Sequence, residues 1–94
     1  MTPFLNPDAL NGKVALISGG ATLIGLAVAQ GLIDAGARVA LLDIDAAAGQ
    51  QAVECLGASA RFFQADITQD GQINEAVMGV HQALGPVDLL INLA

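Results

Sequence analysis

Apolar residues are distributed along this chain in two alternating rhythms. Short continuous runs, "KVALIS" (13–18), "RVALLD" (38–43), "ARFFQA" (60–65) and "VDLLINL" (87–93), hold almost no turn residue. Runs of that length read as strands covered on both faces, where no polar face interrupts the pattern. Between them the spacing changes to that of a helix. Ile24, Ala27, Val28, Gly31, Leu32 and Ala35 fall on one face, with small Ala27 and Gly31 predicted to let the first helix lie close to the sheet. Gly36 is placed to end that helix. Asp45 is placed to cap a second helix over 46–56, and Gly57 to stop it. Thr68 is the expected cap of a third helix, whose stripe is Ile73, Ala76, Val77, Val80 and Leu84. Gly85-Pro86 ends it, because proline cannot continue a helix.

Strand starts roughly 25 residues apart suit βα units in a parallel sheet. Right-handed crossovers with a switch after the second crossover predict an α/β, Rossmann-like doubly wound sheet of strand order 3-2-1-4. Residues 1–12 read as a lead-in, and 13–94 as a partial domain of this fold, truncated before its remaining strands. In this order the fourth strand is an edge, and "LLINL" there is apolar, uncharged and free of proline. Such edges invite pairing with further chain.

Composition narrows the function classes. Of 94 residues, 54% are hydrophobic, and the net charge is −6 with Lys13, Arg38 and Arg61 as the only Lys or Arg. No basic patch is available to neutralise phosphates, which argues against nucleic acid as a partner. No apolar run has the length of a membrane span. The amino-terminal segment lacks the basic start and long apolar stretch of a signal peptide. Cys55 stands alone, so a reducing, cytoplasmic setting is expected. One Cys and one His (His81) argue against a metal site. His81 falls on the third helix, where a surface or packing role is expected.

The stretch "SGGATLIG" (18–25) follows a strand and opens a helix, the context a phosphate-binding turn requires. Backbone N–H groups and the helix dipole there face an anion. Gly19 and Gly20 permit a tight turn and close approach, and Gly25 permits close packing of the helix. The alternative is an ordinary strand-to-helix turn that is rich in glycine. Asp43 closes the second strand, where an acid in a dinucleotide fold accepts hydrogen bonds from the adenosine ribose and repels a 2′-phosphate. That favours NAD over NADP. Asp43 as a solvated loop carboxylate is the other reading. Asp66 and Asn92 end the third and fourth strands at the carboxyl edge, where open α/β sheets bind ligands. Either is equally suited to bonding a neighbouring loop.

Together, Gly12-Lys13 before "VALISGG", "IG" at 24–25, "LLDID" at 41–45, "ADIT" at 65–68 and "DLLINLA" at 88–94 resemble the short-chain dehydrogenase/reductase family from about residue 10 onward. That family carries Thr-Gly-x-x-x-Gly-x-Gly, an acid after the second strand in NAD users, an Asp-hydrophobic pair after the third and Asn-Asn-Ala-Gly after the fourth. The resemblance implies that Gly19 and Gly25 are the first and last loop glycines, and that Thr22 and Ile24 contact the pyrophosphate. It implies Asp43 as the ribose acid with Ile44 beside the adenine, and Asp66 with Ile67 lining the adenine pocket. Asn92 and Ala94 then lie near the nicotinamide ribose. Three positions depart from the pattern. Ser18 replaces Thr, Leu93 replaces the second Asn, and Leu23 replaces the middle glycine of the loop. Leu23 is expected to crowd the pyrophosphate unless it turns into the protein, with Gly20 free to let the loop shift.

The resemblance also implies a catalytic Ser, Tyr-x-x-x-Lys and Asn, all beyond the fourth strand. The chain contains no Tyr. These residues are therefore expected to be the NAD(H)-binding N-terminal part of an oxidoreductase that interconverts an alcohol and a carbonyl compound, a homo-oligomer when intact. Two alternatives stand beside it. One is a non-catalytic nucleotide-binding or interaction module of the same fold, and the other is an adenosylmethionine-dependent methyltransferase, against which "INLA" argues.

Overall fold

The computed structural model describes residues 8–93. Seven elements alternate without exception: β1 (Val14–Ser18), α1 (Leu23–Asp34), β2 (Arg38–Asp43), α2 (Ala46–Leu56), β3 (Ala60–Gln64), α3 (Asp70–Leu84) and β4 (Leu89–Asn92). All four strands are parallel, in the order β3-β2-β1-β4. The expected strand order is therefore the observed one. Within the expected lead-in, Leu10 ties to the domain by donating its N–H to the Ala35 carbonyl at 2.8 Å and by accepting from the Lys13 N–H at 2.9 Å. Residues 1–7 of that lead-in lie outside the described residues.

The central strands are buried on both faces, which is why they carry no alternation. Every residue of β1 is buried, as are Val39 to Leu42 of β2. Alternate residues feed two cores. Ala15, Ile17, Val39 and Leu41 pack beneath α1 and α2 with Ala29, Ala52 and Leu56. Val14, Leu16, Ala40 and Leu42 face the other way, toward Ala76, Val80 and Leu84 of α3. Consecutive phenylalanines on β3 serve the two faces in turn. Phe62 lies directly against Gly49 of α2, where any Cβ would overlap the ring, and Phe63 lies near Gly79 of α3. Removing this apolar area from water supplies the main drive for the fold.

The helix ends follow their caps in two cases. Asp45 accepts from the Ala48 N–H at 3.0 Å and opens α2, and Gly57 closes it at φ 88°. Gly85 follows α3, whose final Leu84 carbonyl accepts from the Arg38 guanidinium. That contact puts a cation at the negative end of a helix.

Two expectations are corrected. α1 buries Gly25 and Ala29, with Val28, Leu32 and Ile33 packed beside them, whereas Ile24, Ala27 and Gly31 point to solvent. The sequence LIGLAVAQGLID is apolar nearly all round, so spacing alone does not select the inward arc. α3 begins at Asp70 with Gln69 as its cap residue and no side-chain capping bond. Thr68 instead turns back onto Asp66.

Candidate functional site

The β1–α1 turn hangs from the end of β2. Gly19 and Gly20 both donate their N–H to the Leu42 carbonyl, at 2.8 and 3.2 Å, and Ala21 donates to Asp43 Oδ2 at 3.2 Å. Gly19 sits at φ 74°, a conformation that side chains with a Cβ rarely adopt. Gly20 is buried, and a Cβ on it would stand 2.8 Å from Leu41 Cδ2. It is thus a seated floor for the turn, which removes the expected freedom of the loop to shift at that position. Gly25 allows the loop backbone to lie on the helix, since a Cβ there would stand 2.6 Å from the Gly20 carbonyl oxygen. Its packing partner is the turn rather than the sheet.

Thr22 caps α1 from both directions. Its hydroxyl donates to the Gly19 carbonyl at 3.0 Å and accepts from the Gly25 N–H at 3.0 Å. With Gly25 satisfied in this way, the first-turn N–H groups of Leu23 and Ile24 are those without an acceptor inside the helix. These are the groups through which a helix start receives an anion. Leu23 is 87% exposed and Ile24 67%. Leu23 therefore neither fills the turn nor folds into the protein; it stands out from the helix start.

Below the turn a cleft of about 260 Å³ opens at the carboxyl edge, lined by Gly19, Thr22, Leu42, Asp43, Ile44, Ala65, Asp66, Ile67 and Leu93. Asp43 is half-buried, its second oxygen Oδ1 taken by the Asp45 N–H at 3.1 Å. Asp66 accepts from Thr68 twice on Oδ1, from the hydroxyl at 2.6 Å and from the N–H at 2.9 Å. The Thr68 hydroxyl, and after it the Thr68 N–H, hold the Asp66 carboxyl below the usual carboxylate range. The Asp66 N–H in turn donates to Gln72 Oε1 at 2.9 Å. Ile44 and Ile67 present aliphatic walls to the same space.

A second cleft of about 300 Å³ adjoins it on the α3 face, sharing Leu42 and Ile67 and reaching Ser18, Leu90 and Asn92. Ser18, the buried polar side chain of β1, donates to Asn92 Oδ1 at 2.7 Å. Of the residues singled out from sequence, Gly19, Thr22, Asp43, Ile44, Asp66 and Ile67 thus line one cleft. Leu23, Ile24 and Gly25 form the helix start above it, and Asn92 lines its neighbour. Ala94 lies outside the described residues. Sequence reasoning passed over Leu42, whose carbonyl holds two loop N–H groups, and Gln72; a backbone acceptor leaves no compositional signal.

Charge is segregated along the sheet. Lys13 immediately precedes β1, Arg38 and Arg61 belong to the amino halves of β2 and β3, and none of the three lines the cleft. His81 is exposed on α3, away from both clefts. No group of His, Cys, Asp or Glu among the described residues has the arrangement to hold a metal ion, and no helix among them is long and apolar enough to cross a membrane.

A parallel sheet wound on both faces, with a glycine turn, an acidic strand end and a cleft at its carboxyl edge, defines a Rossmann-type nucleotide-binding domain. The short chain dehydrogenase family model matches residues 13–94. The chain belongs to that family. It is 40% identical over 87 residues to the 3-beta-hydroxysteroid dehydrogenase of Comamonas testosteroni, covering 93% of this chain and 34% of that protein. It is 40% identical over 85 residues to the galactitol 2-dehydrogenase of Agrobacterium fabrum, covering 90% of this chain and 33% of that one. Among solved structures, the 3-ketoacyl-(acyl-carrier-protein) reductase of Brucella melitensis complexed with NADH superposes with a TM-score of 0.83 at 33% identity. That match covers 86% of this chain and 33% of the reductase. The chain spans about a third of the length of the relatives it matches.

Proposed function

We propose that residues 13–94 form the NAD(H)-binding part of a short-chain oxidoreductase that interconverts an alcohol and a carbonyl compound by hydride transfer. The observation that carries this reading is the division of labour among the loop N–H groups. Gly19, Gly20 and Ala21 are spent on the end of β2 and Gly25 on its cap, which leaves the Thr22, Leu23 and Ile24 N–H groups at the helix start for a pyrophosphate. The cleft beside them, about 260 Å³, falls just below the roughly 300–1,000 Å³ of whole small-molecule sites. That suits the adenosine half of a dinucleotide. Ile44 and Ile67 would flank the adenine, with Asp66 at its rim, and Asp43 would accept from the ribose hydroxyls. Asn92 would lie toward the nicotinamide ribose.

When bound, the nicotinamide would supply the hydride chemistry. Residues of the cleft and the helix start would hold the adenosine half and the pyrophosphate of the cofactor. The Tyr that the family resemblance implies as acid or base is not among these residues, since the chain has no Tyr. NAD is favoured over NADP because the cleft carries two carboxylates and no Lys or Arg. A 2′-phosphate beside Asp43 would meet like charge with no cation to offset it. Relatives named for a hydroxysteroid and for galactitol support a hydroxyl-bearing small molecule as substrate. The single Cys55, free of any disulfide, supports a reducing, cytoplasmic setting. Calorimetric titration with NADH and NADPH tests the reading. Saturable NADH binding with weaker NADPH binding is expected, and binding of neither overturns it.

A further inference from the structure

A carboxylate whose task is to meet ribose hydroxyls has no need of protein partners before the ribose arrives. Asp43 has two. Its Oδ2 takes the Ala21 N–H at 3.2 Å from across the cleft, and its Oδ1 takes the Asp45 N–H at 3.1 Å from its own turn. The two bonds do different things. The second is local, between residues two apart, and shapes the start of α2. The first joins residues 22 positions apart and ties the β1–α1 turn to the end of β2.

Ala21 is the last turn residue before the Thr22 cap, so its position sets where the first turn of α1 points. The preceding Gly19 and Gly20 are held by the Leu42 carbonyl, a backbone group that persists whatever the side chains are. The Ala21 tether instead depends on the identity of residue 43. Because Gly20 is seated against Leu41, Gly25 lies on Gly20 and Thr22 is bonded to Gly19 and Gly25, motion of the turn would be concentrated at Ala21.

The geometry points to Asp43 as a positioning residue that latches the glycine turn in its anion-receiving shape, in addition to any bond it makes to a ribose. This rests on the reading that the cleft takes a nucleotide. The latch acts before binding, in the ligand-free protein. It also makes the grip on phosphate depend on Asp43 even for a ligand with no ribose hydroxyls. A lone exchange of Asp43 for a small neutral residue would therefore loosen the phosphate turn as well as open room for a 2′-phosphate.

Amide exchange at Ala21 in the ligand-free protein, followed by titration with ADP and 2′,3′-dideoxy-ADP, tests this. In Asp43→Ala the Ala21 amide is expected to exchange about tenfold faster while Gly19 and Gly20 keep their protection. The affinity for dideoxy-ADP is expected to fall about threefold, although that ligand offers Asp43 no ribose hydroxyl. Unchanged exchange at Ala21, or dideoxy-ADP bound as tightly as by the parent protein, overturns the latch. Should Asp43→Ala fail to fold, Asp43→Asn, which leaves one acceptor for two donors, is read in the same way at Ala21. Failure of the parent protein to bind ADP would reject the nucleotide reading alone, because the exchange measurement still decides the latch.

Discussion

Ser18 and Asn92, paired in register at the carboxyl ends of β1 and β4, are joined by a 2.7 Å bond from the serine hydroxyl to the asparagine side-chain oxygen. Ser18 is only 7% exposed, so its hydroxyl has little access to water as a substitute partner. The Leu93 N–H adds a 2.9 Å bond to the Ser18 carbonyl. Side chain and backbone of one serine thus hold the end of the edge strand. Ser18→Ala is expected to lower unfolding stability by about 1 kcal/mol, the usual net worth of such a bond. Urea denaturation monitored by circular dichroism measures it; an unchanged midpoint would show that the bond contributes nothing.

Two glycines on α1 are expected to behave in opposite ways. Gly25→Ala would drive a Cβ to 2.6 Å from the Gly20 carbonyl oxygen, against Gly20 backbone atoms with no flexible side chain to yield. A loss of about 2–4 kcal/mol follows from overpacking of this kind. A Cβ on Gly31 meets nothing within 4 Å. Gly31→Ala should therefore stabilise the protein by about 0.5–1 kcal/mol through helix propensity. Thermal melts of the two variants side by side check both signs, and a stabilised Gly25→Ala would contradict the loop-on-helix packing.

Those glycines also mark what was legible beforehand. The strands were readable because sheet burial on both faces leaves unbroken apolar runs, as in "VALIS" and "VALL". α2 was readable at both ends because Asp45 and Gly57 are strong punctuation. The inward face of α1 was not, because the helix is apolar all round and the choice is made by backbone proximity at Gly25 and Ala29. Thr68 misled for a related reason: a hydroxyl two residues from a carboxylate has a local partner that competes with capping. At the cleft, residue types and spacing brought Asp43 and Asp66 to the right edge. They held no trace of the Ala21 tether or of the acceptor role of the Leu42 carbonyl.

The Asp66–Thr68 pair has a pH signature. Thr68→Val removes the hydroxyl that does most to lower the Asp66 pKa, so the carboxyl should titrate closer to its ordinary range. The folded pKa lies below the unfolded one. Any stabilisation from this pair is therefore present above the unfolded pKa and lost as pH falls through the folded value. A carboxyl carbon NMR titration of parent and variant reads the shift directly. Coincident curves would mean that the two Thr68 bonds do not govern the acid.

Leu23 stands at the helix start with its side chain outward, beside an N–H proposed to receive phosphate. Leu23→Gly is expected to tighten NAD binding about threefold to tenfold, equivalent to ~0.7–1.4 kcal/mol, by uncovering that N–H. Calorimetry on parent and variant decides it. Equal or weaker binding in the variant would show that an outward leucine leaves the phosphate approach open.

The dependence of the glycine turn on the end of β2 bears on the order in which the chain acquires its parts during synthesis. β1 and the first helix can emerge and even coil without giving the turn its shape, because the acceptors at Leu42 and Asp43 arrive later. Only when residue 43 has joined the sheet are all three tethers available. Competence to grip a phosphate should therefore switch on within a narrow window of chain length. A ribosome-stalled series stepped through that window would show it as an abrupt onset of binding.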